Sequence, residues 1–142
     1  MTIHQLSIFV ENQHGTLHRV LDILKEAGIQ LVASTIADTQ EYGIFRVLCS
    51  EPTRAYIILK EAGINVALTD VLALRLDNQP GRAADAIRVL SDAGVSIKYM
   101  YTFLLGGKGV MIFRADPCEK AKEAIILHKL DFIAEEDLSK LV

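Results

Sequence analysis

Two short turns carry the residues best suited to chemistry. Asn12-Gln13-His14-Gly15 and Asn78-Gln79-Pro80-Gly81 each follow an alternating apolar stretch and precede one of helical period. The first N–H groups of a helix have no partner within it, and they gather at the positive end of the helix dipole. A carboxylate suits such a place. The amides of Asn12, Gln13, Asn78 and Gln79 both donate and accept, which fits a molecule bearing an ammonium and a carboxylate together. Gly15 and Gly81 let a ligand approach the backbone closely. The same residues are also ordinary turn and capping residues, so a plain structural role stays open.

Other reactive residues form no recognisable constellation. His14 and His18 stand four apart, but the acid of a zinc-binding helix is missing and no third ligand is obvious, so no metal is expected. His14 could titrate near neutral pH within the turn. His128 is expected to be a partly buried structural residue. Ser34, Thr35 and Thr102 lack a histidine and acid at useful spacing, so no catalytic residue is assigned and the chain is read as no enzyme. Lys108-Gly109-Val110-Met111-Ile112-Phe113 has the outline of an RNA-binding strand, but Val110 and Ile112 stand where base-stacking aromatics are needed. With 15 basic and 18 acidic residues and a net charge of −3, the chain has no basic stripe, and no nucleic-acid partner is expected. No apolar run approaches the roughly 18 residues that cross a bilayer, so no membrane partner is expected. No cofactor is implied. Cys49 and Cys118 could form one bridge, but with no leader signal the expectation is a cytoplasmic protein with reduced thiols.

The elements that must position the turns are written twice, at an offset of 66 residues, over 6–68 and 72–134. Asn12/Asn78, Gln13/Gln79, Gly15/Gly81, Leu24/Leu90, Ala27/Ala93, Gly28/Gly94 and Gly43/Gly109 fall into register, mostly at turns and helix ends. In the first copy Leu6, Ile8 and Val10 alternate along a strand. Leu17, Val20, Leu21 and Leu24 then share a helix face, and Gly28 ends that helix. Residues 29–38 and 43–49 read as strands around a turn at 40–43. A second helix from Pro52 turns Ala55, Ile58, Leu59 and Ala62 inward, and a last strand covers 64–69. The second copy repeats this with Leu72, Leu74 and Leu76, then Ala83, Ala86, Ile87 and Leu90. Val95, Ile97, Tyr99, Tyr101 and Phe103 alternate along the next strand, and Gly106-Gly107 makes a hairpin turn. Pro117 opens a helix with Ala121, Ala124 and Ile125 inward, a last strand covers 130–136, and 137–142 is a tail.

The predicted fold class is therefore α+β, as two tandem ferredoxin-like βαββαβ units. Each is a four-stranded antiparallel sheet with two helices on one face, the first and third strands central. The domains are 1–70 and 71–142. Units of this size are near the lower limit for independent stability. The hydrophobic content of 51% and mean hydropathy of +0.28 point to extra buried interface and an oligomer.

This order of elements resembles the ACT domain. The motif Asp77-Asn78-Gln79-Pro80-Gly81, leading to a helix that ends at Ala93-Gly94, carries the resemblance. Glu11-Asn12-Gln13-His14-Gly15 and Ala27-Gly28 match it in the first copy, with His14 in place of the usual proline. ACT domains are regulatory modules that bind amino acids, pair side by side, and act on a linked or associated enzyme. The resemblance implies an allosteric regulatory module with an amino-acid ligand, a homodimer and a regulated metabolic enzyme as partners. It places the ligand between a strand-to-helix loop and the second strand of a neighbouring domain. Asn12, Gln13, His14, Gly15, Thr16 and Leu17, or Asn78, Gln79, Pro80, Gly81, Arg82 and Ala83, would hold its main-chain groups. Ser34, Thr35 and Ile36, or Met100, Tyr101 and Thr102, would form the opposing wall. The alternatives are a ligand-free interaction module that works through its edge strands and, less favoured, a small enzyme.

Overall fold

Residues 1–11, 15–38 and 42–140 are described by a computed structural model. The elements run β1 (Ile3–Glu11), α1 (Thr16–Glu26), β2 (Leu31–Asp38), β3 (Tyr42–Cys49), α2 (Pro52–Glu61), β4 (Val66–Leu76), α3 (Arg82–Asp92), β5 (Ser96–Leu105), β6 (Lys108–Asp116), α4 (Cys118–Leu127) and α5 (Glu135–Lys140). The fold is α+β, with the βαββαβ order written twice. Among the described residues no helix is long and apolar enough to cross a membrane. The chain divides into two compact units, His4–Thr69 and Met1–Ile3 with Asp70 onward.

In the first unit the strand order is β2-β3-β1-β4, so the first and third strands are central, as the crossover rule requires. Antiparallel pairing sets Leu6 against Val47 and Ile8 against Phe45. Directly opposed residues share a face, so these side chains form one apolar surface. Val20 and Leu24 of α1 and Ala55 and Leu59 of α2 pack on it. These are the inward positions that a 3.6-residue period selects.

The second unit repeats the scheme with the order β4-β6-β5. Leu72 lies opposite Phe113 and Leu74 opposite Met111. Ala86 and Leu90 of α3, with Ala121, Ala124 and Ile125 of α4, complete this core. Gly106-Gly107 makes the expected hairpin, bringing Leu105 opposite Lys108.

Three details differ from the sequence expectation. First, Val95 to Phe103 do not alternate along one straight strand. The β5–β6 register slips between Ile97 and Tyr99, so Ile97 pairs with Ala115 while Tyr99, Tyr101 and Phe103 pair with Arg114, Ile112 and Val110. A bulge adds one residue and moves every later side chain to the other face. Ile97 packs against the core with Met111 and Phe113, and the three aromatics lie on the opposite face. The same slip falls between Leu31 and Ala33 in the first unit.

Second, the strand expected at 130–136 is reduced to one bridge between Phe132 and Leu74. It is flanked by hydrogen bonds from Arg75 N–H to the Asp131 carbonyl (2.7 Å) and from Ile133 N–H to the Ala73 carbonyl (2.9 Å). Of the expected tail, 137–140 are instead helical, and 141–142 lie outside the described residues. Glu135, Glu136 and Asp137 fill the first turn of α5, where acidic side chains complement the helix dipole and where a strand would gain little from them. Third, His128 is exposed at the C-cap of α4. The expected turn at 40–43 lies partly outside the described residues, and Gly43 is within β3.

Candidate functional site

The second strand-to-helix turn is tightly bonded by its own backbone. After β4 ends at Leu76, Gln79 N–H donates to the Asp77 carbonyl (2.8 Å) and Arg82 N–H reaches the Gln79 carbonyl (3.5 Å). Gly81 is the N-cap of α3 with φ 86° and ψ −5°, and no side chain caps the helix. Its carbonyl accepts the first helical bond, from Asp85 N–H at 3.0 Å. Beyond Arg82 N–H, the donors of the first turn have no side-chain cap and face whatever approaches them. A left-handed φ explains why glycine stands there. Nothing lies within 4 Å of where a β-carbon would be, so the constraint at Gly81 is backbone conformation rather than crowding.

Charged side chains frame this turn. Lys108 Nζ donates to Asp77 Oδ1 at 2.7 Å. That hydrogen bond, together with the charge of Lys108, holds the Asp77 carboxyl below its ordinary range. The Arg82 guanidinium donates to Gln79 Oε1 at 3.0 Å and to Asp85 Oδ2 at 3.1 Å. Both ion pairs are solvent-exposed.

A cavity of about 310 Å³ opens beside the turn. Among the residues singled out from sequence, Asn78, Gln79, Arg82, Ala83 and Thr102 line it. Pro80 and Gly81 are exposed at the tip of the turn. Met100 and Thr102 lie opposite Phe113 and Met111, on the core-facing side, whereas Tyr101 lies opposite Ile112 on the other face. Of these three only Thr102 lines the cavity. The sequence reading missed Leu76, Asp77, Phe103, Leu104 and Gly109, which also line the cavity. Asp77 had a visible signal, as the residue between the last alternating leucine and Asn78.

The first turn differs. Asn12, Gln13 and His14 lie outside the described residues. Gly15 has φ 88° and ψ −11°, closely matching Gly81, and again no side chain caps the helix. Gly15 and Thr16 line a cavity of about 430 Å³ with Phe9, Glu11, Arg19 and Asn65 among its other residues. Arg19 spans to the Ala62 carbonyl at 2.7 Å. Leu17 packs against the first core. Ser34 and Ile36 pair with Val47 and Phe45 on the core-facing side, Thr35 pairs with Arg46 on the other, and none of the three lines this cavity. Tyr42 stands where the second copy has Lys108, and its ring meets Phe9 edge-on at 5.8 Å.

His18 pairs with Asp22 at 3.2 Å. No group of three or more metal-ligating side chains occurs among the described residues. No disulfide joins Cys49 and Cys118, the first buried and the second half-buried.

Comparison with known proteins agrees with this fold. The family model of the ACT domain pair matches residues 1–142. The crystal structure of protein BT0572 from Bacteroides thetaiotaomicron superposes with a TM-score of 0.94 at 37% identity, covering 99% of this chain and 97% of that one. The ligand-free regulatory subunit of aspartate kinase from Thermus thermophilus shares the fold, with a TM-score of 0.60 at 17% identity over 89% of this chain and 91% of that one. The corresponding subunit from Thermus flavus gives 0.58 at 18% identity, over 87% and 90%. No curated protein matches the chain.

Proposed function

The chain belongs to the ACT domain pair family, and from that premise we propose that it is a non-catalytic regulatory module binding an amino acid at its strand-to-helix turns. The domains are assigned as 1–70 and 71–142. The observation that carries the proposal is the cavity beside the uncapped start of α3, framed by Asp77 and Arg82. An ammonium finds a carboxylate there, and a carboxylate finds a guanidinium and helix N–H groups. In the first copy the matching positions are Asn12 to Leu17.

Regulation follows by linkage. A ligand that binds one arrangement more tightly shifts the population towards it by its differential affinity. We propose a homodimer in which a neighbouring domain closes the ligand in, and a metabolic enzyme as the regulated partner. The regulatory subunits of aspartate kinase that share this fold support that choice of partner. Two cysteines not joined by a disulfide fit a reducing compartment such as the cytoplasm.

The test is a thermal-shift screen against the twenty amino acids at millimolar concentration. A ligand at about 100 times its Kd adds about 2.7 kcal/mol. At about 2–4 °C per kcal/mol this is a rise of several degrees. A flat panel would turn attention to the second reading, an interaction module working through edge strand β5. Met100 and Leu104 are exposed on that strand, at 38% and 65%, and an open edge is a template for a partner strand.

A further inference from the structure

The two copies differ in charge at their turns. In the second, Asp77, Lys108 and Arg82 come together; the positions 66 residues earlier hold Glu11, Tyr42 and Thr16. Glu11 lies opposite Tyr42 in the β1–β3 register, so the first carboxylate faces a phenol-bearing ring where the second faces an ammonium.

Resting on the reading above, we infer that the second turn is the ligand-holding one, that it takes a free α-amino acid with an apolar side chain, and that Lys108 sets its affinity by placing its own ammonium at Asp77, where the ligand's ammonium would go. The Lys108–Asp77 contact is short, at 2.7 Å, yet both side chains are more than half exposed, at 51% and 60%. An exposed pair of this kind contributes little to stability, so it yields readily to a competitor that also makes other contacts. Asp77 faces the cavity while Lys108 reaches it from the start of β6. Arg82 supplies the second anchor. Gln79 and Asp85 hold its guanidinium at the mouth of the cavity, and its five-donor fork keeps further donors for a carboxylate. Leu76, Ala83, Phe103 and Leu104 share the remainder with Asn78, Thr102 and Gly109, none of them charged, a surface for an apolar side chain rather than a charged one. The depressed ionisation of Asp77 keeps the carboxylate charged and ready for either ammonium.

The experiment is isothermal titration calorimetry of the full chain, wild type, Lys108→Met and Asp77→Asn. The probes are valine, leucine, isoleucine, methionine and phenylalanine, the 2-oxo acids that lack the ammonium, and the other fifteen amino acids. At least one apolar amino acid should bind Lys108→Met about two- to five-fold more tightly than wild type, the range expected when an exposed ion pair stops competing. Asp77→Asn should weaken it about ten-fold or more, and 2-oxo acids should gain nothing from Lys108→Met. Unchanged or weaker binding to Lys108→Met, or normal binding to Asp77→Asn, overturns the inference and leaves the amino-acid reading standing. So does a ligand found only among the polar amino acids. If none of the twenty binds, both fall together.

Discussion

At the residue scale, Gly81 and Asp77 make opposite demands. Gly81 is set by backbone conformation, because φ 86° costs an ordinary L-residue about 1–2 kcal/mol. Gly81→Val is therefore not a clean probe of the site; it should lower the Tm of the ligand-free protein, and the β-branched side chain should lower it more than Gly81→Ala does. Differential scanning fluorimetry of the two variants checks this. Asp77 is set by charge. A carboxylate with a depressed folded-state pKa contributes its stabilisation above its unfolded value and loses it as pH falls through the folded one. The Asp77–Lys108 pair should accordingly persist below the ordinary carboxylate range. In Lys108→Met the Asp77 midpoint, tracked by carboxyl NMR titration, should rise; an unmoved midpoint would contradict the stated cause. Asn78 and Gln79 stand out by their place before a helix, and Arg82 and Ala83 enter through the resemblance. The ionic contact was not legible, because it depends on strand register. Leu76 lies opposite Gly109, and only then does Lys108 fall against Asp77.

At the element scale, periodicity located the helices because each buries one stripe: Val20 and Leu24 on α1, Ala86 and Leu90 on α3. It failed at β5, where a single bulged residue changes the face of everything after it; β2 carries the same slip. A bulge leaves no mark in an alternating pattern that already has apolar residues in both phases. The C-terminal segment was misread for another reason. Phe132 and Ile133 look like a strand, but Asp131 and the acidic run from Glu135 confine pairing to a single bridge. Six residues are too few for a free-standing helix, so α5 depends on what it buries, and Leu138 is only 5% exposed. Leu138→Asp should abolish amide-exchange protection across Glu135–Lys140 while leaving α4 protected. Protection retained in α5 would show that another contact holds it.

At the scale of the whole molecule, the repeat was legible because turns and helix ends restrict residue choice more than cores do. Each unit has its own core, and the element order places matching residues in both. The sequence expectation of separate strands at 64–69 and from Leu72 is corrected at the joint near Asp70. No linker occurs there. β4 runs unbroken from Val66 to Leu76, its first part belonging to one unit and its second to the other. Val66 and Leu68 join the first core, and Leu72 and Leu74 the second.

That shared strand makes spacing across the joint a question of odd and even. Val66, Leu68, Leu72 and Leu74, the core residues named above, stand even numbers of residues apart, so the strand passes from one core to the other without breaking step. Adding one residue after Thr69 should force a bulge or a break, whereas adding two should keep the rhythm. The single insertion should lower Tm more than the double one, although it adds less chain. Here arithmetic on chain length acts as a structural constraint, and drift by insertion or deletion at this joint should occur in pairs.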